Sequence, residues 1–131
     1  MTVALLDANV LIALTVADHE HHDRVGRWFT ATTAFAISPV VEGALMRFLV
    51  RLGESTSTGQ ELLRAVRGHP ACERWADDAS YADVDLSDVR GHRQVADSYL
   101  VGLAAARGGV VATLDESLAR RRPVNVLLIP A

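Results

Sequence analysis

Val3-Ala4-Leu5-Leu6-Asp7 is the stretch that decides the fold, because four apolar residues run directly into an acid. A short apolar run of this kind is typical of a strand that is buried on both faces of a parallel sheet. The pattern recurs at residues 34–37 and, most clearly, at residues 110–113, which lead into Leu114-Asp115. Two further strands are predicted, one within residues 72–76 and one over residues 124–129.

Helical segments separate these strands. Ser38-Pro39 has the form of a helix start, and Gly108-Gly109 has the form of a helix end. The predicted helices cover residues 9–17, 23–32, 39–52, 58–67 and 87–107, the last with a break at Gly91. Strands that alternate with helices along a chain form a parallel sheet with both faces covered. We therefore predict the α/β class, as a three-layer α/β/α sandwich with a central parallel sheet of about five strands.

Length and composition narrow the functional classes. The chain has 131 residues, and because domains average about 150 residues, residues 1–131 are predicted to form a single domain. All 13 basic side chains are arginine, so the chain has no lysine. Lysine-dependent sites such as the P-loop and the Schiff base are excluded, as are phosphatase and receiver chemistries that pair an aspartate with a lysine. The single cysteine, Cys72, excludes internal disulfides and cysteine-cluster metal sites.

The apolar start of the chain does not have the form of a targeting segment. Residues 3–17 are mostly apolar, but no basic region precedes them, and Asp7 and Asn9 interrupt the run. No stretch reaches the roughly 18 apolar residues that a membrane span needs. We expect a soluble, cytoplasmic protein.

Four acidic residues stand where acids are unusual. Asp7 and Asp115 each follow a predicted strand, where a lone aspartate is about as often only the cap of the next helix. Glu42 and Asp97 lie on apolar helix faces, where an uncompensated charge costs several kcal/mol. If its helix begins near Ser87, Asp97 is also too deep to be stabilised by the helix dipole.

The topology can bring these four acids to one edge of the sheet. Ligands of open parallel sheets bind outside the carboxyl ends of the strands. Two carboxylates 4 Å apart repel each other by about 4 kcal/mol at an effective dielectric constant near 20. Without lysine, the cluster needs a cation, and carboxylate oxygens suit Mg²⁺ or Mn²⁺. The residues therefore indicate metal-assisted hydrolysis.

The chain resembles the PIN-domain ribonucleases, and specifically the VapC-type toxins of bacterial toxin–antitoxin pairs. The similar segments are Leu5-Leu6-Asp7-Ala8-Asn9-Val10-Leu11, Ser38-Pro39-Val40-Val41-Glu42, Gly91-His92-Arg93-Gln94-Val95-Ala96-Asp97 and Ala112-Thr113-Leu114-Asp115. Their order and spacing cover essentially the whole chain. The family fold is a three-layer α/β/α sandwich, in agreement with the pattern of strands and helices.

The resemblance implies a role for each matching residue. Asp7 and Asp97 would be the principal metal ligands, Glu42 the third acid and Asp115 the fourth. Asn9 and Thr113 would orient the ligands or the attacking water. The implied activity is that of an Mg²⁺- or Mn²⁺-dependent endoribonuclease toxin that cleaves tRNA, rRNA or mRNA and leaves a 5′-phosphate.

The resemblance also implies partners. It implies a homodimer that is inhibited by a VapB-type antitoxin, whose tail blocks the acidic pocket. The alternative function is a catalytically idle binding module that acts only in a regulatory toxin–antitoxin complex. The sequence does not distinguish one RNA target from another.

Two other groups of residues have an open interpretation. Arg93, together with Arg47 and Arg51 or with Arg120-Arg121-Arg122, is a candidate RNA contact, although any one of these arginines is more simply a solvated surface charge. His19, His21 and His22 crowd one turn, but no cysteine or well-placed acid completes a zinc site. An exposed polar turn is the simpler interpretation of these histidines.

Overall fold

A parallel sheet of five strands forms the centre of the molecule in the computed structural model, which describes residues 2–131. The strands are β1 (Ala4–Leu6), β2 (Phe35–Ile37), β3 (Cys72–Arg74), β4 (Val110–Thr113) and β5 (Val126–Leu128). Their order across the sheet is β3-β2-β1-β4-β5. The five predicted strands and their parallel arrangement are confirmed.

Helices cover both faces of this sheet. They are α1 (Ala8–Thr15), α2 (His22–Thr30), α3 (Pro39–Arg51), α4 (Thr56–Arg67), α5 (Val95–Ala106) and α6 (Glu116–Arg121), and a 3₁₀ turn covers His92–Gln94. The fold is a three-layer α/β/α sandwich, as predicted. Within the described part of the chain, no helix is long and apolar enough to cross a membrane.

The order of the strands creates a crevice between β1 and β4. From β1 the chain moves outward through β2 to β3, and it then returns to the other side of β1 to form β4 and β5. Because parallel crossovers are right-handed, this reversal places α5 and α6 on the face opposite α1–α4. In such sheets, ligands bind at the carboxyl ends of the strands where the direction reverses. The end of β1 is Leu6, directly before Asp7.

The core explains why the central strands β1 and β4 are apolar except at Thr113, the last residue of β4. Leu5, Leu6, Val111 and Ala112 on β1 and β4 are fully buried. Burying a large aliphatic side chain contributes roughly 1.5–3 kcal/mol. Register between these strands pairs Leu6 with Ala112, so the residues that follow each strand emerge side by side at the edge of the sheet.

The predicted helix over residues 87–107 was wrong in its first part. Helix α5 begins only at Val95, after the 3₁₀ turn, and Gly91 is extended with φ −146° and ψ 159°. Local side-chain bonds hold the preceding loop instead: Asp85 accepts hydrogen bonds from Ser87, and Gln94 Oε1 accepts one from Arg90 N–H. Asp97 consequently lies in the first turn of α5, where the helix dipole stabilises a carboxylate.

A short helix was missed altogether. Helix α6 has only six residues, too few for a periodic apolar pattern, and the sequence analysis assigned no helix there. Its N-cap is Asp115, whose Oδ1 accepts hydrogen bonds from the N–H groups of Ser117 and Leu118. Asp115 therefore does cap a helix, which was one of the two interpretations of an aspartate at the end of a strand.

Candidate active site

Asp7 lies at the bottom of the crevice and is only 3% exposed. It caps helix α1, with Oδ1 accepting a 2.7 Å hydrogen bond from Ala8 N–H. Oδ2 accepts a second hydrogen bond, also 2.7 Å, from the hydroxyl of Thr113. Burial raises the pKa of this carboxyl, a charge on nearby Asp115 raises it further, and the two hydrogen bonds oppose the rise. Both oxygens are thus fixed in direction by the fold.

Thr113 links the ends of β1 and β4. Its buried hydroxyl donates to Asp7, accepts from the Asp115 N–H at 3.0 Å and lies 3.4 Å from Asn9 Nδ2. The Asn9 side chain completes the link by accepting from Leu114 N–H at 3.2 Å. Thr113 therefore contacts Asp7 and the backbone of Asp115 directly, whereas Asn9 contacts Thr113 and the backbone of Leu114.

Asp97 approaches this pair from helix α5, on the other side of the sheet edge. Its pKa is raised from 3.8 to about 7, first by burial and then by the negative charges of Asp7 and Asp115. Arg121 opposes the rise. Three of the four acids of the predicted cluster, Asp7, Asp97 and Asp115, thus share one electrostatic environment. In the described residues, none of the three forms an ion pair with a basic side chain.

Glu42 stands somewhat apart from the three aspartates. It is half-buried in the first turn of α3, directly after β2. The carboxylates that raise the pKa of Asp97 are Asp7 and Asp115, whereas Glu42 lines two clefts toward α4 and β3. Glu42 thus lies at the start of α3, beside these two clefts.

The donor atoms at this edge suit a hard divalent cation, which binds carboxylate and hydroxyl oxygens. Ser38, at the end of β2, is fully buried, and no hydrogen-bond partner of its hydroxyl is found among residues 2–131. A buried polar atom left unpaired costs about 1–3 kcal/mol, which a ligand or water at the site would recover. Across the same residues, no three histidine, cysteine, aspartate or glutamate side chains are already arranged to hold a metal ion.

Comparison with known proteins identifies the family of the chain. The family model described as PIN domain matches residues 4–122. The chain belongs to the PIN-domain family. Ribonuclease VapC29 of Mycobacterium tuberculosis is 48% identical over 131 residues, which cover 99% of this chain and 98% of that protein. Ribonuclease VapC38 of the same organism is 35% identical, covering 92% of this chain and 93% of the relative. Within the family, the chain is of the VapC type.

Solved PIN-domain structures share the fold. The crystal structure of Mycobacterium tuberculosis VapC20, described as a sarcin-ricin loop cleaving toxin, has a TM-score of 0.67 and 14% identity, covering 91% of this chain and 94% of that one. VapBC2 from Rickettsia felis, bound to a DNA fragment from its promoter, has the same TM-score and identity, covering 98% and 100%. At this identity the likeness concerns the fold.

Beside its aspartates, this PIN domain carries an ion-pair cluster that the sequence analysis missed. Asp88 accepts hydrogen bonds from Arg121 Nε at 3.1 Å, Arg122 Nη1 at 3.2 Å and Ser98 Oγ at 3.1 Å. The Arg121 and Arg122 side chains are only 18% and 12% exposed. They therefore do not form an exposed basic cluster with Arg120. The acids of residues 77–88 all look alike in sequence, so no signal singled out Asp88.

The other candidate residues of the PIN domain lie on its surface. Arg47 and Arg51 are exposed on α3, and Arg93 is exposed on the 3₁₀ turn before α5. The histidine turn is a local structure: His22 Nδ1 lies 2.7 Å from the Ala13 carbonyl, and His19 Nδ1 accepts the N–H of His21. No metal-holding group within the described part of the chain includes these histidines.

Proposed function

We propose that this VapC-type protein is a metal-dependent endoribonuclease toxin that hydrolyses cellular RNA at the edge formed by Asp7, Asp97 and Asp115, with Glu42 at its border. Two relatives that cover nearly the whole chain are named ribonucleases. The substrate class is therefore RNA, as tRNA, rRNA or mRNA. The alternative, a binding module without catalysis, leaves the complete set of acids without a role.

The main support for the proposal is the electrostatic effect of the aspartates on one another. Burial and, after it, the negative charges of Asp7 and Asp115 raise the pKa of Asp97 to about 7, and no basic side chain of the described residues pairs with any of the three. A fold that only needed helix caps would not place a third carboxylate beside two others. The arrangement is typical of a site that binds a cation.

Each residue has a distinct task in this proposal. Asp7 and Asp97 hold Mg²⁺ or Mn²⁺, and Asp115 and Glu42 contribute directly or through water. Thr113 and Asn9 keep the Asp7 carboxylate and the start of α6 in fixed positions through their hydrogen bonds. When bound, the cation supplies Lewis-acid stabilisation of the phosphate and an activated water. Cleavage by water is expected to leave a 5′-phosphate.

The proposal includes two partners. A VapB-type antitoxin is inferred because one structural neighbour of the same fold is a VapBC protein and another is FitAB bound to DNA. A homodimer in the cytoplasm is inferred from the VapC-type family resemblance. Sedimentation of the purified protein at about twice 14.1 kDa would support the dimer.

Induced expression in a bacterial host tests whether catalysis is the activity that matters. The wild-type chain and the variants Asp97→Asn and Asp18→Asn are compared by growth rate. Asp18 is exposed and lies in the turn after α1, so its variant is a control with the same chemical change. We expect growth arrest by the wild type and by Asp18→Asn, and normal growth with Asp97→Asn. Arrest by Asp97→Asn at equal protein levels would favour the binding module instead.

A further inference from the structure

Two adjoining clefts run from Glu42 along the surface of the helical layer that contains α3 and α4. One, of about 380 Å³, lies between α3 and α4. The other, of about 490 Å³, leads toward β3. Pro39, Glu42 and Arg67 line both clefts, so the two form one continuous groove. We name it the arginine groove, because Arg64 lines its α4 part and Arg74 its β3 part.

The arginines of this groove carry uncompensated charge. Arg64, Arg67 and Arg74 are exposed, and across residues 2–131 none of their guanidinium groups makes an ion pair or a hydrogen bond. By contrast, Arg107, Arg120, Arg121 and Arg122 each pair with a carboxylate. Among the described residues that line the groove, three are thus positive and one, Glu42, is negative, on a protein whose net charge is −3.

Charged residues of the groove affect the pKa of the same side chain, the thiol of Cys72. Cys72 is half-buried on β3, and burial raises the pKa of its thiol. The charges of Arg74 and Arg67 lower this pKa, and the charges of Glu42 and Glu73 raise it. The two arginines and the glutamate are therefore neighbours around one strand, although they come from three separate elements.

The groove opens at the same edge of the sheet as the aspartates. Arg74 is the last residue of β3 and is in register with Ile37, the last residue of β2. β2 is in turn the neighbour of β1, which ends just before Asp7. Adjacent strands are about 4.8 Å apart, so Arg74 stands roughly 10 Å along the edge from Asp7. A chain of phosphates bound at the aspartates would continue directly into the groove.

We propose that the arginine groove binds the backbone phosphates of the RNA strand next to the cleavage site. This inference rests on the proposed ribonuclease function and names the substrate-binding surface of that site. Guanidinium groups bind phosphate oxygens through two parallel hydrogen bonds, and the Gln60 amide adds a polar group to the wall. Contacts of this kind position the strand without reading its bases.

The test measures RNA affinity as a function of salt, with every protein in the Asp97→Asn background so that RNA is not cut. The probe is a fluorescein-labelled single-stranded RNA of mixed sequence. The variants are Arg67→Gln and the triple change Arg64→Gln, Arg67→Gln, Arg74→Gln. Arg27→Gln is the matched control, because Arg27 is exposed on α2, outside the groove, and makes no ion pair among the described residues. Thermal melting confirms that these surface changes leave the fold intact.

We expect each lost phosphate contact to reduce the slope of log affinity against log salt by about 0.7, and the triple variant to reduce it by about 2. Affinity at low salt is expected to fall roughly tenfold or more in the triple variant, with no change for Arg27→Gln. If the parent binds RNA and the triple variant binds it with the same affinity and slope, the groove is not the RNA surface and the proposed function still stands. Failure of the parent itself to bind any RNA would contradict both.

A competing occupant is an acidic protein segment such as an antitoxin tail. Polyglutamate serves as its probe, added as a competitor at equal charge concentration. We expect RNA to remain bound, because phosphates arranged along a strand fit the spaced guanidinium groups better than flexible carboxylates. Tighter binding of polyglutamate than of RNA to the parent, with the polyglutamate binding lost in the triple variant, would overturn the assignment in favour of an acidic protein.

Discussion

At the scale of single residues, Asp7 and Asp97 differ in how the fold controls them. Asp7 is buried and accepts two strong hydrogen bonds, so its carboxylate is fixed in place. Asp97 is partly exposed in the first turn of α5, and its pKa depends on burial and on two neighbouring acids. The Asp7 carboxylate is therefore held in one orientation, and the Asp97 carboxylate is a group whose charge a bound cation would stabilise.

The raised pKa of Asp97 predicts a pH dependence of the metal-free protein. Between pH 3.8 and about 7 the folded state holds a proton on Asp97 that the unfolded state has lost. The contribution of this group to stability therefore falls as pH rises through that window. We expect carboxyl ¹³C NMR to show an Asp97 midpoint near 7, lowered in Asp115→Asn, which removes a repelling charge, and unchanged in Asp18→Asn. A midpoint near 4 would contradict the shared electrostatic environment.

Thr113→Val tests the positioning role of the hydroxyl. Valine keeps the shape of the side chain but leaves Asp7 Oδ2 and the Asp115 N–H without their partner. We expect Mn²⁺ affinity, measured by calorimetry, to fall roughly 10–100-fold, and the free energy of unfolding to fall by about 1–3 kcal/mol. Thr113→Ser retains the hydroxyl and is expected to recover most of the affinity. Unchanged Mn²⁺ affinity in Thr113→Val would contradict the positioning role of the hydroxyl.

At the scale of elements, the Asp88 carboxylate connects two parts of the chain: the loop that precedes α5, and helix α6. This carboxylate joins Ser98 of α5 to Arg121 and Arg122 at the end of α6. Burial raises the pKa of Asp88, but the hydrogen bonds from Arg121 and Ser98 outweigh this effect and the pKa is lowered. Its stabilising contribution is therefore present at neutral pH and is lost as pH falls through the lowered pKa. Val84 of the same loop packs closely against Gly102 of α5.

Asp88→Ala is expected to destabilise the protein strongly. It leaves two mostly buried guanidinium groups without a carboxylate, which typically costs ~3–5 kcal/mol. Asp78→Ala is the matched control, since the Asp78 side chain is 64% exposed in its pair with Arg107 and such pairs contribute ~0–1 kcal/mol. Urea denaturation monitored by circular dichroism measures both. Similar small losses in the free energy of unfolding in the two variants would show that the Asp88 ion pairs do not stabilise the position of α6.

At the scale of the whole molecule, most of the architecture could be predicted because it depends on local patterns. Short apolar runs predicted the strands, and the acids at their ends indicated a site at the edge of the sheet. The start of α5 and the whole of α6 could not be predicted, because they depend on side-chain bonds and on a helix too short to show a period. Asp88 and the arginine groove could not be predicted either. Gln60, Arg64 and Arg67 share one helix face by spacing, but only the packing of α4 on α3 turns that face toward Glu42.

The central claim is that the aspartate edge cleaves RNA, and its most direct test is the sequencing of new 5′ ends in total bacterial RNA. Antitoxin-free protein is incubated with this RNA in Mg²⁺, Mn²⁺ or EDTA, beside Asp97→Asn and the Asp18→Asn control. We predict 5′-phosphate ends at one or a few sites, produced with either metal by the wild type and by Asp18→Asn. EDTA and Asp97→Asn are each expected to abolish them. Cuts that persist with Asp97→Asn or in EDTA, or no cuts by the wild type in either metal, would contradict the account.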